Sequence, residues 1–235
     1  MTLADSQPTL LIPGLTDSPR LYQAQLPELF RFGPVMVADH TRDDDVRALA
    51  ARVLRHAPPK FTLVGLSMGG YTAFEIMRTA PERVLKLALL DTSARPETPE
   101  SAERRLLGIA RAERGEYAQV VEDVWPVAVH ESHLADQALK DVFVRMHLAA
   151  GKDVYIRQQR AIMSRPDSRP SLAAIRCPTL VLVGDGDKIT PPSVAEEIAN
   201  GIAGATLQVI ATCGHLSALE QPEAVSDALL RWLSA

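Results

Sequence analysis

The chain has 235 residues, 46% of them hydrophobic and 23% charged, with a formal net charge of -4 at pH 7. That length holds one substantial core, or a core with an insertion, and the composition is that of an ordinary folded protein rather than a disordered or fibrous one. The acidic balance gives no basic footprint for nucleic acid and no polybasic patch for anionic membranes, which leaves small molecules as the expected partners. The start of the chain holds Asp5 and only a short apolar run, Leu10-Leu11-Ile12. Neither a signal peptide nor a membrane span is therefore expected, and the chain reads as cytoplasmic.

In chain order, short runs rich in valine, leucine and isoleucine occur at Thr9-Ile12, Val35-Ala38, Phe61-Leu66, Val84-Leu90, Thr179-Val183 and Thr206-Ile210. Such runs predict strands buried on both faces. Most are separated by segments of helical period: Val46, Leu49, Ala50, Val53 and Leu54 share one face at three- and four-residue steps. This alternation predicts a parallel sheet with covering helices. The acidic run Asp43-Asp44-Asp45 suits the N-terminus of the helix carrying Val46, where free N–H groups favour negative charge. Pro191-Pro192 and Gln221-Pro222 mark further helix starts.

Between residues 95 and 170 the alternation stops. Apolar residues there fall only at helical spacing, as in Leu106, Ile109 and Ala110, then Val120, Val121 and Val124, then Leu139, Val142, Phe143 and Met146. Residues 1–94 and 171–235 are thus expected to form an α/β core, with 95–170 a helical insertion. Its ends, Arg95-Pro96-Glu97-Thr98-Pro99 and Arg165-Pro166-Asp167-Ser168-Arg169-Pro170, read as linkers. Trp125, Phe143 and Met146 read as packing residues of this unit. His130, His133 and His147 lack metal-ligand partners at short spacing and read as surface or interface residues. Cys177 precedes one predicted strand and Cys213 follows another, so parallel strands set them at opposite sheet edges, too far apart for a disulfide; both read as buried small residues.

The chemistry is signalled first by Gly65-Leu66-Ser67-Met68-Gly69-Gly70, which follows an apolar run and leads into Tyr71-Thr72-Ala73-Phe74. A serine hydroxyl is a poor nucleophile at neutral pH and must be lifted to a sheet edge and handed to a base. A sharp strand-to-helix turn with glycine neighbours does the lifting. The base needs a histidine oriented by a carboxylate. Asp187 stands in the loop after Thr179-Val183, within Gly184-Asp185-Gly186-Asp187-Lys188-Ile189-Thr190-Pro191. His215 stands after Thr206-Ile210, in Ala211-Thr212-Cys213-Gly214-His215. In a parallel sheet Ser67, Asp187 and His215 share the carboxyl edge, where sites of such sheets form. His40, in a loop at the same edge, is either a surface histidine or a substrate contact.

With the segment Gly214-His215-Leu216-Ser217-Ala218-Leu219-Glu220-Gln221-Pro222-Glu223, these motifs make the sequence resemble the α/β-hydrolase family over nearly its whole length. The resemblance implies the α/β-hydrolase fold, a mostly parallel central sheet with helices on both faces, with the insertion at 95–170 as a cap. It selects Asp187 over Asp185, because the family's acid usually lies three residues after the glycine closing its strand. It also implies an oxyanion hole made by the backbone N–H groups of Met68 and Leu15. Two departures stand out: Pro13 where family members commonly have histidine, and Asp39-His40-Thr41-Arg42 in place of a glycine-rich turn.

The expected activity is that of a serine hydrolase, carboxylesterase-like, acting on a small-molecule ester through an acyl-enzyme on Ser67, with no metal and no organic cofactor. Carbon-carbon bond hydrolysis, lactone hydrolysis, perhydrolysis or acyl transfer on the same residues are alternatives, as is a hydrolase-like ligand-binding receptor. The pKa of His215 is expected within about one unit of 6.5.

Overall fold

A computed structural model describes residues 7–235; Asp5 and the start of the chain lie outside them. Six strands, β1 (Thr9–Ile12), β2 (Val35–Val37), β3 (Phe61–Leu66), β4 (Val84–Leu90), β5 (Thr179–Gly184) and β6 (Thr206–Ile210), make one sheet. Their order is β2-β1-β3-β4-β5-β6, with every pair of neighbours parallel. The chain moves from β1 outward to β2, then returns to the other side of β1 as β3. This reversal opens a crevice at the carboxyl ends of β1 and β3, the usual position of a site in an open α/β sheet.

The two-residue period of a strand divides its apolar run between two cores. Leu11, Val64, Leu66, Leu90, Leu180 and Leu182 face one, and Leu10, Ile12, Leu63, Leu89, Val181 and Val183 face the other. The second core is closed by α2 (Val46–His56), α3 (Met68–Thr79) and α8 (Pro192–Gly201), through side chains such as Leu49, Phe74 and Ile198. The first is closed by α1 (Leu26–Leu29), α9 (Ser217–Glu220) and α10 (Pro222–Ser234), through Leu29, Ala218, Leu229 and Trp232. Burial on both faces fails for the outer strands: β2 is half-buried throughout, and in β6 only Ile210 is buried. Each has a neighbour on one side only, so part of its surface stays in solvent.

The caps follow local chemistry. Asp45 accepts hydrogen bonds from Arg47 N (2.9 Å) and Ala48 N (3.0 Å) at the start of α2. Asp43 in the same acidic run pairs with Arg52 instead. Pro191 is the N-cap of α8, and Pro222 opens α10.

Between β4 and β5 the chain runs through four helices, α4 (Pro99–Glu113), α5 (Tyr117–Ala128), α6 (Gln137–Ala150) and α7 (Lys152–Met163). Trp125 stacks at 5.4 Å from Phe143, and Tyr117 at 5.3 Å from Tyr155; these rings and Met146 are buried and continuous with the first core. The segments expected as linkers are instead tied together. Ser168 N donates to Ala94 O (2.8 Å), and the Glu97 carboxylate pairs with Arg165 and with Arg105. Charges at the two ends meet because helices of similar length return the chain to its point of departure. Cys177 and Cys213 are free thiols; Cys213 is buried as expected, but Cys177 is only half-buried. No described helix is long and apolar enough to cross a membrane.

Candidate active site

Ser67 follows β3 and precedes α3 with φ 53° and ψ -113°, a conformation that disfavours any side-chain-bearing residue. The turn is held from behind: Ser67 N donates to Leu90 O (2.9 Å) and Thr92 Oγ1 donates to Ser67 O (2.8 Å). Its glycines permit close passage. A Cβ on Gly65 would lie 2.5 Å from Gly69 O, and one on Gly69 would lie 2.0 Å from Ile12 O, so neither position admits a side chain without backbone movement.

The three residues expected at the sheet edge meet there. His215 Nε2 is 2.8 Å from Ser67 Oγ, and His215 Nδ1 is 2.8 Å from Asp187 Oδ2. Asp187 is itself fixed, accepting from Ile189 N (2.8 Å), Thr190 N (2.9 Å) and Thr190 Oγ1 (2.8 Å). Asp185 plays a different part: its carboxylate accepts from Cys213 N (3.0 Å) and so holds the loop before His215.

Among the described residues, neither Met68 N–H nor Leu15 N–H donates to a protein acceptor. Met68 is the first residue of α3, where a helix leaves amide groups without intrahelical partners. Leu15 lies in the loop after β1, whose Gly14 faces the Cβ of Ser67. The next amide of the loop, Thr16 N, is taken by Gln158 Oε1 (2.6 Å).

Charge is concentrated behind the histidine. Burial works against a charged His215, but the Asp187 charge and hydrogen bond, with Asp91 and Asp17 further off, outweigh it and raise its pKa to about 9. Burial also pushes Asp187 upward, and is overcome by the His215 charge and the Thr190 donors, so this carboxylate stays below its ordinary range. Asp91 is raised to about 8 by burial and by the Asp187 charge, and Asp17 to about 7 by burial. The value near 6.5 expected for His215 is thus corrected upward, because three carboxyl groups surround it and sequence spacing shows only one.

One histidine stands elsewhere than expected. His40 is neither a surface residue nor aimed at the crevice: it is buried, its Nε2 lies 3.0 Å from Gly14 O, and burial lowers its pKa. His147 is buried too, bonding Phe143 O through Nδ1, with its pKa lowered to about 4 by burial. His130 and His133 lie at the junction with the core, where His130 N and His133 Nδ1 both bond Glu220 Oε2. Glu220 Oε1 accepts in turn from Gly214 N and Leu216 N, on either side of His215. Asp91 likewise accepts from Gly184 N and from Ser217 N and Oγ, joining the acid and base loops. Motif spacing assigned a role to none of these supports, although Asp185, Thr190, Ser217 and Glu220 lie inside the quoted motifs. Their partners are brought to them by the sheet.

The sequence matches the pattern of the alpha/beta hydrolase family over residues 10–228. A thermophilic esterase from Thermogutta terrifontis, with malate bound, is similar at 33% identity and a TM-score of 0.89, over 97% of this chain and 90% of that one. An enol-lactonase from Burkholderia xenovorans LB400 has the same fold at 21% identity and a TM-score of 0.87, over 98% and 92% of the two chains. A 2-hydroxy-6-oxononadienedioate/2-hydroxy-6-oxononatrienedioate hydrolase of Escherichia coli is 27% identical over 184 residues, 74% of this chain. The aligned region is 62% of that enzyme's length. The chain belongs to the alpha/beta hydrolase family, and its fold is the α/β-hydrolase fold.

Proposed function

We propose that this hydrolase cleaves a small carboxylic ester through an acyl-enzyme on Ser67. The observation that carries the reading is the unbroken path from Ser67 Oγ through His215 to Asp187. Neutral His215, its Nδ1–H held by Asp187, accepts the Ser67 proton at Nε2 as Oγ attacks the ester carbonyl. The N–H groups of Met68 and Leu15 receive the developing oxyanion. The histidine then returns its proton to the leaving alcohol, and the same cycle with water releases the acid. Helices α4 to α7 act as a cap over the crevice.

Likeness to the Thermogutta esterase over nearly the full chain supports an ester substrate. A second reading, hydrolysis of a carbon-carbon bond in a keto-acid, is favoured by the Escherichia coli relative and uses the same serine and histidine. The test is Ser67→Ala assayed with p-nitrophenyl esters of graded acyl length, a lactone and a meta-cleavage diketone. Turnover of the preferred substrate should fall by at least about 10⁴-fold in folded protein. Activity persisting in Ser67→Ala overturns the acyl-enzyme; a diketone turned over in preference to every ester moves the assignment to the second reading.

A further inference from the structure

The loop that carries Leu15 is strained, and its internal bonds are Asp17 N to Gly14 O at 3.3 Å and Thr16 Oγ1 to Leu15 O at 2.7 Å. Thr16, the next residue, has φ 55°, in the left-handed region where a β-branched side chain is disfavoured. Yet Leu15 N–H has to point in one direction to meet an oxyanion, and a misaligned donor contributes little. Two further bonds to its backbone come from outside the loop, from Gln158 at 2.6 Å and His40 at 3.0 Å.

Gln158, on α7 of the insertion, is fully buried and uses both ends of its amide on this part of the fold. Its Oε1 accepts from Thr16 N at 2.6 Å, and its Nε2 donates to His40 O at 3.0 Å. His40 Nε2 in turn donates to Gly14 O at 3.0 Å. The consequence follows from the planarity of the peptide bond. Gly14 C=O and Leu15 N–H belong to one trans peptide unit and point in opposite directions, so fixing the carbonyl from one side aims the N–H at the other. The next unit, between Leu15 and Thr16, is fixed by Gln158 at its N–H and by Thr16 Oγ1 at its carbonyl (2.7 Å). The two departures from the family pattern, Pro13 and the His40 turn, are connected here: the loop beginning at Pro13 is braced by the imidazole of His40.

We propose that Gln158, acting with His40, is the positioning residue of the oxyanion loop, so that α7 belongs to the catalytic apparatus as well as to the cap. This rests on the reading of Leu15 N–H as an oxyanion donor. Gln158→Leu keeps the volume and removes both bonds. It should lower kcat on p-nitrophenyl acetate by about 10- to 100-fold with KM within about twofold, because the donor matters in the transition state and little in the ground state. The preference for that ester over its thionoester, whose larger sulfur fits an oxyanion hole poorly, should shrink by a similar factor. A merely structural role would leave that preference unchanged. Gln158→Glu, which retains an acceptor for Thr16 N–H, should keep more of kcat.

A folded Gln158→Leu with kcat within twofold of wild type, or with reduced kcat and an unaltered thionoester preference, overturns the proposal. Should Gln158→Leu fail to fold, His40→Phe carries the same test by removing only the bond to Gly14 O, and unchanged kcat there is equally fatal. In the wild-type protein the Thr16 amide should exchange hydrogen no faster than the middle of α7; free exchange would contradict the bond to Gln158. Inactive Ser67→Ala beside an unaffected Gln158→Leu refutes this proposal alone. Turnover persisting in Ser67→Ala refutes the hydrolase mechanism itself.

Discussion

The sheet core and the four-helix insertion contribute to the site in different ways. Ser67, Asp187 and His215 all stand at the carboxyl ends of core strands, and their mutual distances are set by sheet register. The insertion provides none of the three, but its groups hold the His215 loop and the loop after β1. Ala128 O accepts from His215 N (2.9 Å), His130 N bonds Glu220, and Gln158 bonds Thr16 N. The difference shows that reactive groups can be placed by a repetitive framework, whereas the direction of each loop needs contacts from a second body. An insertion so connected braces the loops of the candidate site.

The largest expected effect tests the core's half of that division. Asp187→Asn should preserve the fold and lower kcat/KM by about 10⁴-fold, since the amide leaves His215 without the partner that sets its tautomer. Near wild-type kcat/KM would mean that another carboxyl group, such as Asp91, orients the base. The insertion's half is tested by stability. Phe143→Ala removes a buried ring against Trp125 and should cost about 3–5 kcal/mol in urea denaturation, in a single transition, because the insertion shares a core with the sheet. Two separated transitions would show instead that the insertion unfolds alone, and would break the comparison.

The pH dependence follows from the groups behind His215. The base works only when deprotonated, so kcat/KM should rise with pH through the range 7 to 9 and level off above it. Stability should move in the opposite direction. His215 has a raised pKa in the fold, so its contribution is complete below its unfolded value of 6.5 and lost as pH rises through about 9. The raised pKa values of Asp91 and Asp17 act in the same sense, since their ionisation in the fold is costly from 3.8 up to about 8 and about 7. Thermal unfolding followed from pH 6 to 9.5 should therefore show a falling Tm where activity climbs. Asp91→Asn should move the activity limb toward lower pH, and a limb that does not shift rules out its influence on His215. The smallest effect is expected on the insertion's outer face, where Leu106 and Leu107 are 56% and 61% exposed; either one changed to glutamate should alter unfolding free energy by no more than about 0.5 kcal/mol.

By itself the sequence determined the elements and the three residues proposed to react, because those are local properties. A short apolar run with glycine after it, a helical stripe such as Val46-Leu49-Val53, and a serine, an aspartate and a histidine each just past a strand are all visible within a few neighbours along the chain. Parallel pairing then brings the three to one edge with no further information. Only the tertiary structure decided what surrounds them. His40 is buried rather than exposed because Gly14 O and α7 enclose it, and the pKa of His215 is raised because Asp17 and Asp91 arrive from two other strand ends. Gln158 lies 142 residues from Thr16 and carries no motif. Its role exists only once the insertion has folded over β1, because hydrogen bonds and desolvation depend on distance in space and leave no periodic trace in the chain.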